Sequence, residues 1–307
     1  MPKQTARTIL MVEPVAFGFN SQTAVNNFFQ RKSELQNIVV QQQALSEFTL
    51  FVDKLRANDI NVLVVKDTAE PHTPDSIFPN NWISFHEGGQ AVLYPMFAPN
   101  RRMERRDEII QFIENNGVGI QNVDNFAFWE EEGLFLEGTG SMVLDRENRI
   151  AYAALSERTS ENVFLLFCST FAYRPVAFSA MHSVDGRRVP VYHTNVVMSV
   201  ASEYAVVCAE SIDNQTERKN VLDLLSETGK EIITISEQQM NSFAGNMLQV
   251  ENMQGQKFVV MSQRAFDSLN NRQVERLKFY NEIITVSIPT IEEIGGGSVR
   301  CMMAEIF

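Results

Sequence analysis

Asn81-Trp82-Ile83-Ser84-Phe85-His86-Glu87-Gly88-Gly89-Gln90-Ala91-Val92-Leu93-Tyr94 reads as two short apolar strands joined by a glycine-centred turn. Trp82 to Phe85 and Ala91 to Tyr94 are rich in β-branched and aromatic residues, and Glu87-Gly88-Gly89-Gln90 supplies the turn, so the pattern predicts a hairpin. Downstream, Arg101 to Asn116 carries helical periodicity and Gly119 to Val123 returns to a strand pattern. The unit of hairpin, helix and strand decides the fold because it recurs.

Three more hairpins follow: Ser141 to Leu144 with Ile150 to Ala154, Val196 to Val200 with Tyr204 to Cys208, and Met247 to Val250 with Phe258 to Met261. Amphipathic windows at Glu34 to Asn58, Thr159 to Thr170, Thr216 to Thr228 and Arg272 to Phe279 predict helices. Each leads into a strand pattern, at Ile60 to Val65, Val176 to Ala180, Glu231 to Ile235 and Glu282 to Val286. The polar residues just before the hairpins, with Cys301 before the last short strand, are Asn81, Glu137, His193, Asn246 and Cys301, spaced by 56, 56, 53 and 55 residues. A steady period of this length signals repeated supersecondary units, and units set around an axis bring equivalent residues together at its centre. The expected fold class is an α/β propeller of five ββαβ units around a pseudo-fivefold axis, the last unit completed by the N-terminal run Thr8 to Glu13. No Pro-, Gly- or Ser-rich linker interrupts the pattern, so residues 1–307 are expected to form a single catalytic domain.

Of 307 residues, 44% are hydrophobic, enough for a substantial core, and the net charge is −12 with a pI near 4.9. Such acidity argues against nucleic acid as a partner, since phosphate recognition needs clustered Lys and Arg. No apolar run approaches a membrane span and no export signal is apparent, so no membrane partner and a cytoplasmic location are expected. Cys168, Cys208 and Cys301 form no CxxC pair; neither a disulfide framework nor a metal site is suggested, and no cofactor is implied. The expected partner is a small molecule.

Cys, His and Glu are the types that supply a nucleophile, an acid/base group and the group that orients it, and the marker positions contain all three. Cys301 follows Gly295-Gly296-Gly297-Ser298-Val299-Arg300, where missing side chains let a substrate approach the sulfur. Cys168 in Phe164-Leu165-Leu166-Phe167 and Cys208 after Ala205-Val206-Val207 read as core residues. Among the histidines, His193 in Val191-Tyr192-His193-Thr194-Asn195 is favoured by register, His86 is expected exposed at a turn, and His72 and His182 are expected in loops. Glu137, ending Leu134-Phe135-Leu136, needs a partner if buried, and His193 is a plausible one. Asp75, in Thr73-Pro74-Asp75-Ser76, reads equally as a turn residue or a site residue.

Pro74-Asp75-Ser76-Ile77-Phe78, Leu136-Glu137-Gly138 and the glycine run into Cys301 together resemble the guanidine-modifying, or pentein, superfamily of arginine deiminases, dimethylarginine dimethylaminohydrolases and amidinotransferases. Phe78-Pro79-Asn80-Asn81-Trp82 and Tyr192-His193-Thr194-Asn195 look closest to its bacterial amidinotransferase-like group linked with citrulline use. The resemblance implies a pentein catalytic domain that cleaves a C–N bond of a guanidino or ureido group on an arginine-like amino acid through a covalent cysteine intermediate. It implies catalytic roles for Cys301 as nucleophile, His193 as general acid/base and Glu137 as its orienting group. Asp75, Asn81, Arg158, Asn195 and, more weakly, Arg101 are the implied substrate contacts. Where relatives carry a second aspartate this chain has Asn81, and where many carry another it has Asn195; two missing negative charges point toward a neutral ureido group, as in conversion of citrulline to ornithine. Amidino transfer through the same intermediate and a non-catalytic binding pentein are the alternatives, and a homodimer is compatible with the resemblance.

Overall fold

The computed structural model describes residues 2–307. Along the chain run β1 (Thr8–Glu13), α1 (Asn37–Ala57) and β2 (Asn61–Lys66), then β3 (Ile83–His86), β4 (Gln90–Leu93), α2 (Asp107–Asn115) and β5 (Asn122–Asn125). The next unit holds β6 (Val143–Asp145), β7 (Ile150–Ala154), α3 (Glu161–Thr170) and β8 (Arg174–Phe178), followed by an extra hairpin, β9 (Met181–Val184) and β10 (Arg187–Pro190). After it come β11 (Met198–Val200), β12 (Tyr204–Val207), α4 (Gln215–Glu227) and β13 (Glu231–Thr234). The last elements are β14 (Leu248–Glu251), β15 (Lys257–Ser262), α5 (Gln263–Ser268), α6 (Asn271–Tyr280), β16 (Glu282–Val286) and β17 (Ala304–Ile306).

One pairing scheme is repeated five times. β3, β6, β11 and β14 each pair antiparallel with the next strand, which pairs parallel with the strand after the helix. In the fifth sheet the C-terminal β17 lies antiparallel to β1, and β1 runs parallel to β2. The N-terminal run therefore completes the last unit. The five sheets stay separate in hydrogen bonding, and none closes on itself into a barrel. Parallel pairing needs a crossover, and the helices provide it, packing α1 on β2 and β16, α3 on β8, and α4 on β8 and β13. Strands such as Ile150–Ala154 are buried throughout, as expected when both faces are covered.

Two differences from the sequence expectations have local causes. The window from Arg101 to Asn116 splits into a turn at Pro99–Arg102 and α2, because Arg101 is drawn inward to a buried ion pair with Glu104. The β9–β10 hairpin falls outside the repeated pattern. Its strands alternate polar residues because one face is exposed, and Asp185 and Gly186 take φ of 48° and 75°, the paired positive values of a type I′ turn. No helix among the described residues is long and apolar enough to cross a membrane.

Candidate active site

Each marker residue sits in the short turn that feeds the first strand of its sheet. Asn81 ends the turn Pro79–Asn81, Glu137 and His193 precede the turns Gly138–Ser141 and Thr194–Val197, and Cys301 lies in the turn ahead of β17. Neighbouring turns are stitched together: Thr194 Oγ1 donates to the Ser141 carbonyl at 2.5 Å, and Ser141 Oγ donates to the Arg158 carbonyl at 2.8 Å. Stitching fixes the Glu137 turn beside the His193 turn. Gly140 is required there, because a Cβ would lie 2.8 Å from His193 Nδ1 and 2.5 Å from Asn81 Nδ2.

Cys301, His193, Asp75, Asn81, Arg101 and Arg158 line one cavity of about 10 Å³, room for about one water. His193 Nε2 donates to Glu137 Oε2 at 2.8 Å, which leaves Nδ1 as the nitrogen without a proton. Glu137 is fully buried; burial opposes its charge, yet the Arg158 guanidinium at 3.6 Å and the His193 bond bring its carboxyl down to about 2. Burial pushes His193 down to about 4 against the pull of Glu137, so at neutral pH an ionised carboxylate holds a neutral imidazole. Such a pair takes up a proton readily when a nearby thiol offers one, because the carboxylate stabilises the imidazolium that forms.

Two amides face the thiol. Asn195 Nδ2 lies 3.5 Å and Asn246 Nδ2 3.4 Å from Cys301 Sγ. The Asn246 amide is held in that sense: its Oδ1 accepts from the Arg300 amide at 3.1 Å and its Nδ2 also donates to the Asn195 carbonyl at 3.0 Å. Asn246 was visible in the sequence only as a member of the period, and that membership was the signal for it. The loop before Cys301 includes a π-helical turn at Ile291–Gly295, and Gly296 at φ +65° gives its carbonyl to the Tyr192 hydroxyl and the Asn27 amide. Irregular turns of this kind are frequent at functional sites.

Asp75 is buried with burial raising its carboxyl, and its Oδ2 accepts from Asn20 at 2.7 Å and Thr23 at 3.1 Å. Its Oδ1 is buried with no protein partner. Arg101 forms a bidentate pair with Glu104, at 2.9 Å for both bonds, and donates to Asn81 Oδ1 at 2.7 Å. Arg158 donates to the Thr23 carbonyl and to Asn26, and lies 5.1 Å over the Tyr192 ring. The cavity thus gathers six of the candidate residues, with Glu137 behind His193 and Asn195 beside Cys301 outside its lining, but Arg101, Arg158 and Asn81 already have protein partners. Asn20, Thr23 and Asn26 belong to an irregular segment between β1 and α1 whose sequence carries no periodic signal.

The other histidines differ from expectation. His86 is buried, with Nδ1 accepting from Arg146 and Nε2 against Ser84 Oγ, because its strand continues to the last residue before the turn. His182 is buried in β9 and stacked on Phe29. Among the described residues no group of three or more His, Cys, Asp or Glu side chains is placed to hold a metal ion.

Five repeated units that bring a thiol, an imidazole paired with a carboxylate, and an unpartnered carboxylate together have the arrangement of a pentein. Residues 13–307 match the family model described as N,N dimethylarginine dimethylhydrolase, eukaryotic, and the chain belongs to that family. Solved structures similar to it include the arginine dihydrolase ArgZ of cyanobacteria, with TM-score 0.74 and 18% identity over 97% of this chain and 40% of that one. The N-terminal domain of ArgZ bound to substrate gives TM-score 0.72 and 18% identity over 97% of each chain. The dimethylarginine hydrolase of Pseudomonas aeruginosa, as a cysteine-to-serine mutant complexed with citrulline, gives 0.62 and 14%, covering 98% of this chain and all of that one. At these identities the likeness is one of fold, and this chain spans about 40% of the whole ArgZ chain. No curated protein matches the sequence.

Proposed function

We propose that the chain is a single catalytic domain that hydrolyses the guanidino group of an arginine-like amino acid through a covalent S-alkylthiouronium adduct on Cys301. The observation that carries this reading is the unpartnered, buried Asp75 Oδ1 in the cavity that also holds Cys301 and His193. Asp75 is the one carboxylate among the lining residues and forms no ion pair, whereas the nearby Arg158 and Arg101 are engaged by Glu137 and by Glu104, the latter pushed up to about 8 by burial. A guanidinium supplies both the missing charge and N–H donors for Oδ1, whereas a neutral ureido group supplies only donors. This charge balance favours guanidino over ureido substrates, although Asn81 and Asn195 replace carboxylates. The family's dimethylarginine and the arginine of the dihydrolases are both guanidino compounds.

In the proposed sequence the Cys301 proton passes to neutral His193 as sulfur adds to the central guanidino carbon. His193, now an imidazolium facing Glu137, returns that proton to the departing amine as the C–N bond breaks. Water, deprotonated by His193, then attacks the same carbon and the C–S bond breaks, restoring the thiol. Because the cavity has room for about one water, substrate enters when the segment bearing Asn20 and Thr23 moves off Asp75. The repeated sheets, with β17 against β3, β6 against β11 and β11 against β14, support the arrangement of five units about a pseudo-fivefold axis.

The deciding experiment incubates the protein with arginine, Nω-methylated arginines, agmatine and citrulline and quantifies amine, ammonia, citrulline and ornithine. Guanidino amino acids should react fastest, and Cys301→Ser should lower turnover by at least about 10³-fold. Faster turnover of citrulline than of every guanidino compound would overturn the charge argument, and wild-type activity in Cys301→Ser would overturn the nucleophile.

A further inference from the structure

A second cavity, of about 410 Å³, lies at the far end of the same strands. β3, β6 and β17 begin beside Asn81, the Glu137 turn and Cys301, and they end at His86, Asp145 and Ile306, the last two followed directly by Arg146 and Phe307. Five residues of strand separate Asn81 from His86, roughly 16 Å at about 3.3 Å per residue. The two cavities are therefore distinct, with no lining residue in common.

The walls of the far cavity combine three cations, Lys3, Arg146 and Arg149, with the flat faces of Phe171, Tyr173 and Phe307. Its one acidic lining side chain is Glu87, half-exposed and 4.0 Å from Arg149. A positive cavity is unexpected in a chain of net charge −12. The Arg146 side chain is only 5% exposed, yet its carboxylate neighbour, Glu305, is 4.0 Å away and is shared with Arg300, which donates to it at 2.7 Å. Two buried guanidiniums thus share one carboxylate. The remaining contacts of the Arg146 guanidinium are to neutral groups: it lies 4.1 Å over the Phe307 ring and donates to His86 Nδ1 at 3.3 Å. A buried cation with so thin a set of partners is costly unless an anion completes it.

We infer that this cavity is a binding site for a small oxyanion, held by Arg146 and Arg149 against the aromatic walls. Guanidiniums on adjacent faces of a concave, partly apolar cavity match the geometry of carboxylate and phosphate oxygens. The site is separate from the catalytic thiol, so its occupancy can be measured without reference to turnover.

Inorganic phosphate and benzoate, titrated into the full chain at constant ionic strength and followed by calorimetry, test the inference and distinguish the two sources of oxyanion. Saturable one-to-one binding of either anion is expected, weakened at least about ten-fold in Arg149→Gln. Arg149 is half-exposed, so that variant keeps its fold; Arg146→Met, which retains bulk, should weaken binding further if its melting transition stays cooperative. Absence of saturable binding for both anions, or binding that Arg149→Gln leaves unchanged, would overturn the site.

Discussion

His193 and His86 are both buried and both held neutral, yet they stand at opposite ends of the inner strands in opposite electrostatic company. His193 has the ionised Glu137 on Nε2, while His86 has Arg146 on Nδ1 and feels Arg149 as well, so burial and both arginines keep its imidazole well below the usual range. Burial alone therefore does not make a histidine useful for proton transfer. At one end the protein supplies a counter-charge for an imidazolium; at the other it supplies cations that oppose that species.

The comparison breaks first at Glu137. Glu137→Gln removes the charge that stabilises a protonated His193 and also strands Arg158 among neutral partners. Turnover should fall by about 10³-fold. Unfolding free energy should fall by about 3 kcal/mol, since a buried cation loses its anion. Steady-state kinetics alongside urea denaturation would separate the two effects. Turnover within tenfold of wild type would mean that the carboxylate is not the source of the difference between the two histidines.

Acid titration sharpens the comparison next. His193 titrates near 6.5 when unfolded and about 4 when folded, so the unfolded chain binds the proton first as pH falls. Its contribution is fully present above pH 6.5 and is lost as pH falls through about 4, a change of about 3 kcal/mol by linkage. His86, also depressed, loses its contribution in the same direction. His193→Gln, which retains a donor toward Glu137, should flatten the fall in stability between pH 6.5 and 4 by up to one proton. Urea midpoints at those two pH values measure it, and an unchanged slope would show that His193 already carries a proton in the folded state.

Much of this architecture was legible in the chain because its strands are rich in β-branched residues and its markers recur about every 55 residues, a spacing that physical repetition of one unit imposes. The β9–β10 hairpin was missed despite its Asp185-Gly186 turn, since strands with an exposed face lack the apolar alternation on which the reading relied. Charge compensation was harder still. Asn81 and Asn195 suggested a site short of carboxylates, but the pairing of Arg101 with Glu104 and of Arg158 with Glu137 leaves Asp75 without an ion pair, and those partnerships depend on tertiary placement. The contacts of Asn20 and Thr23 with Asp75 cross more than 50 residues from a segment without pattern, so nothing local encodes them.

Asn246 offers the finest division between the two ends, because its contribution is one weak donor beside one sulfur. With Arg300 N–H on Oδ1 and the Asn195 carbonyl accepting from Nδ2, the amide presents its donor to Cys301 at 3.4 Å, closer than its oxygen, which lies 3.9 Å from the sulfur. A thiolate accepts such a bond more strongly than a thiol does, so the donor acts chiefly on the charged form of the sulfur. Asn246→Ala should lower kcat/KM about ten-fold at neutral pH, equivalent to about 1.4 kcal/mol. The rate at which iodoacetamide labels Cys301 at neutral pH should fall by a similar factor. A merely structural role would lower activity and leave the labelling rate in place. Cys208, buried in the core with burial pushing its thiol up to about 11, serves as the internal reference thiol that the same substitution should not touch.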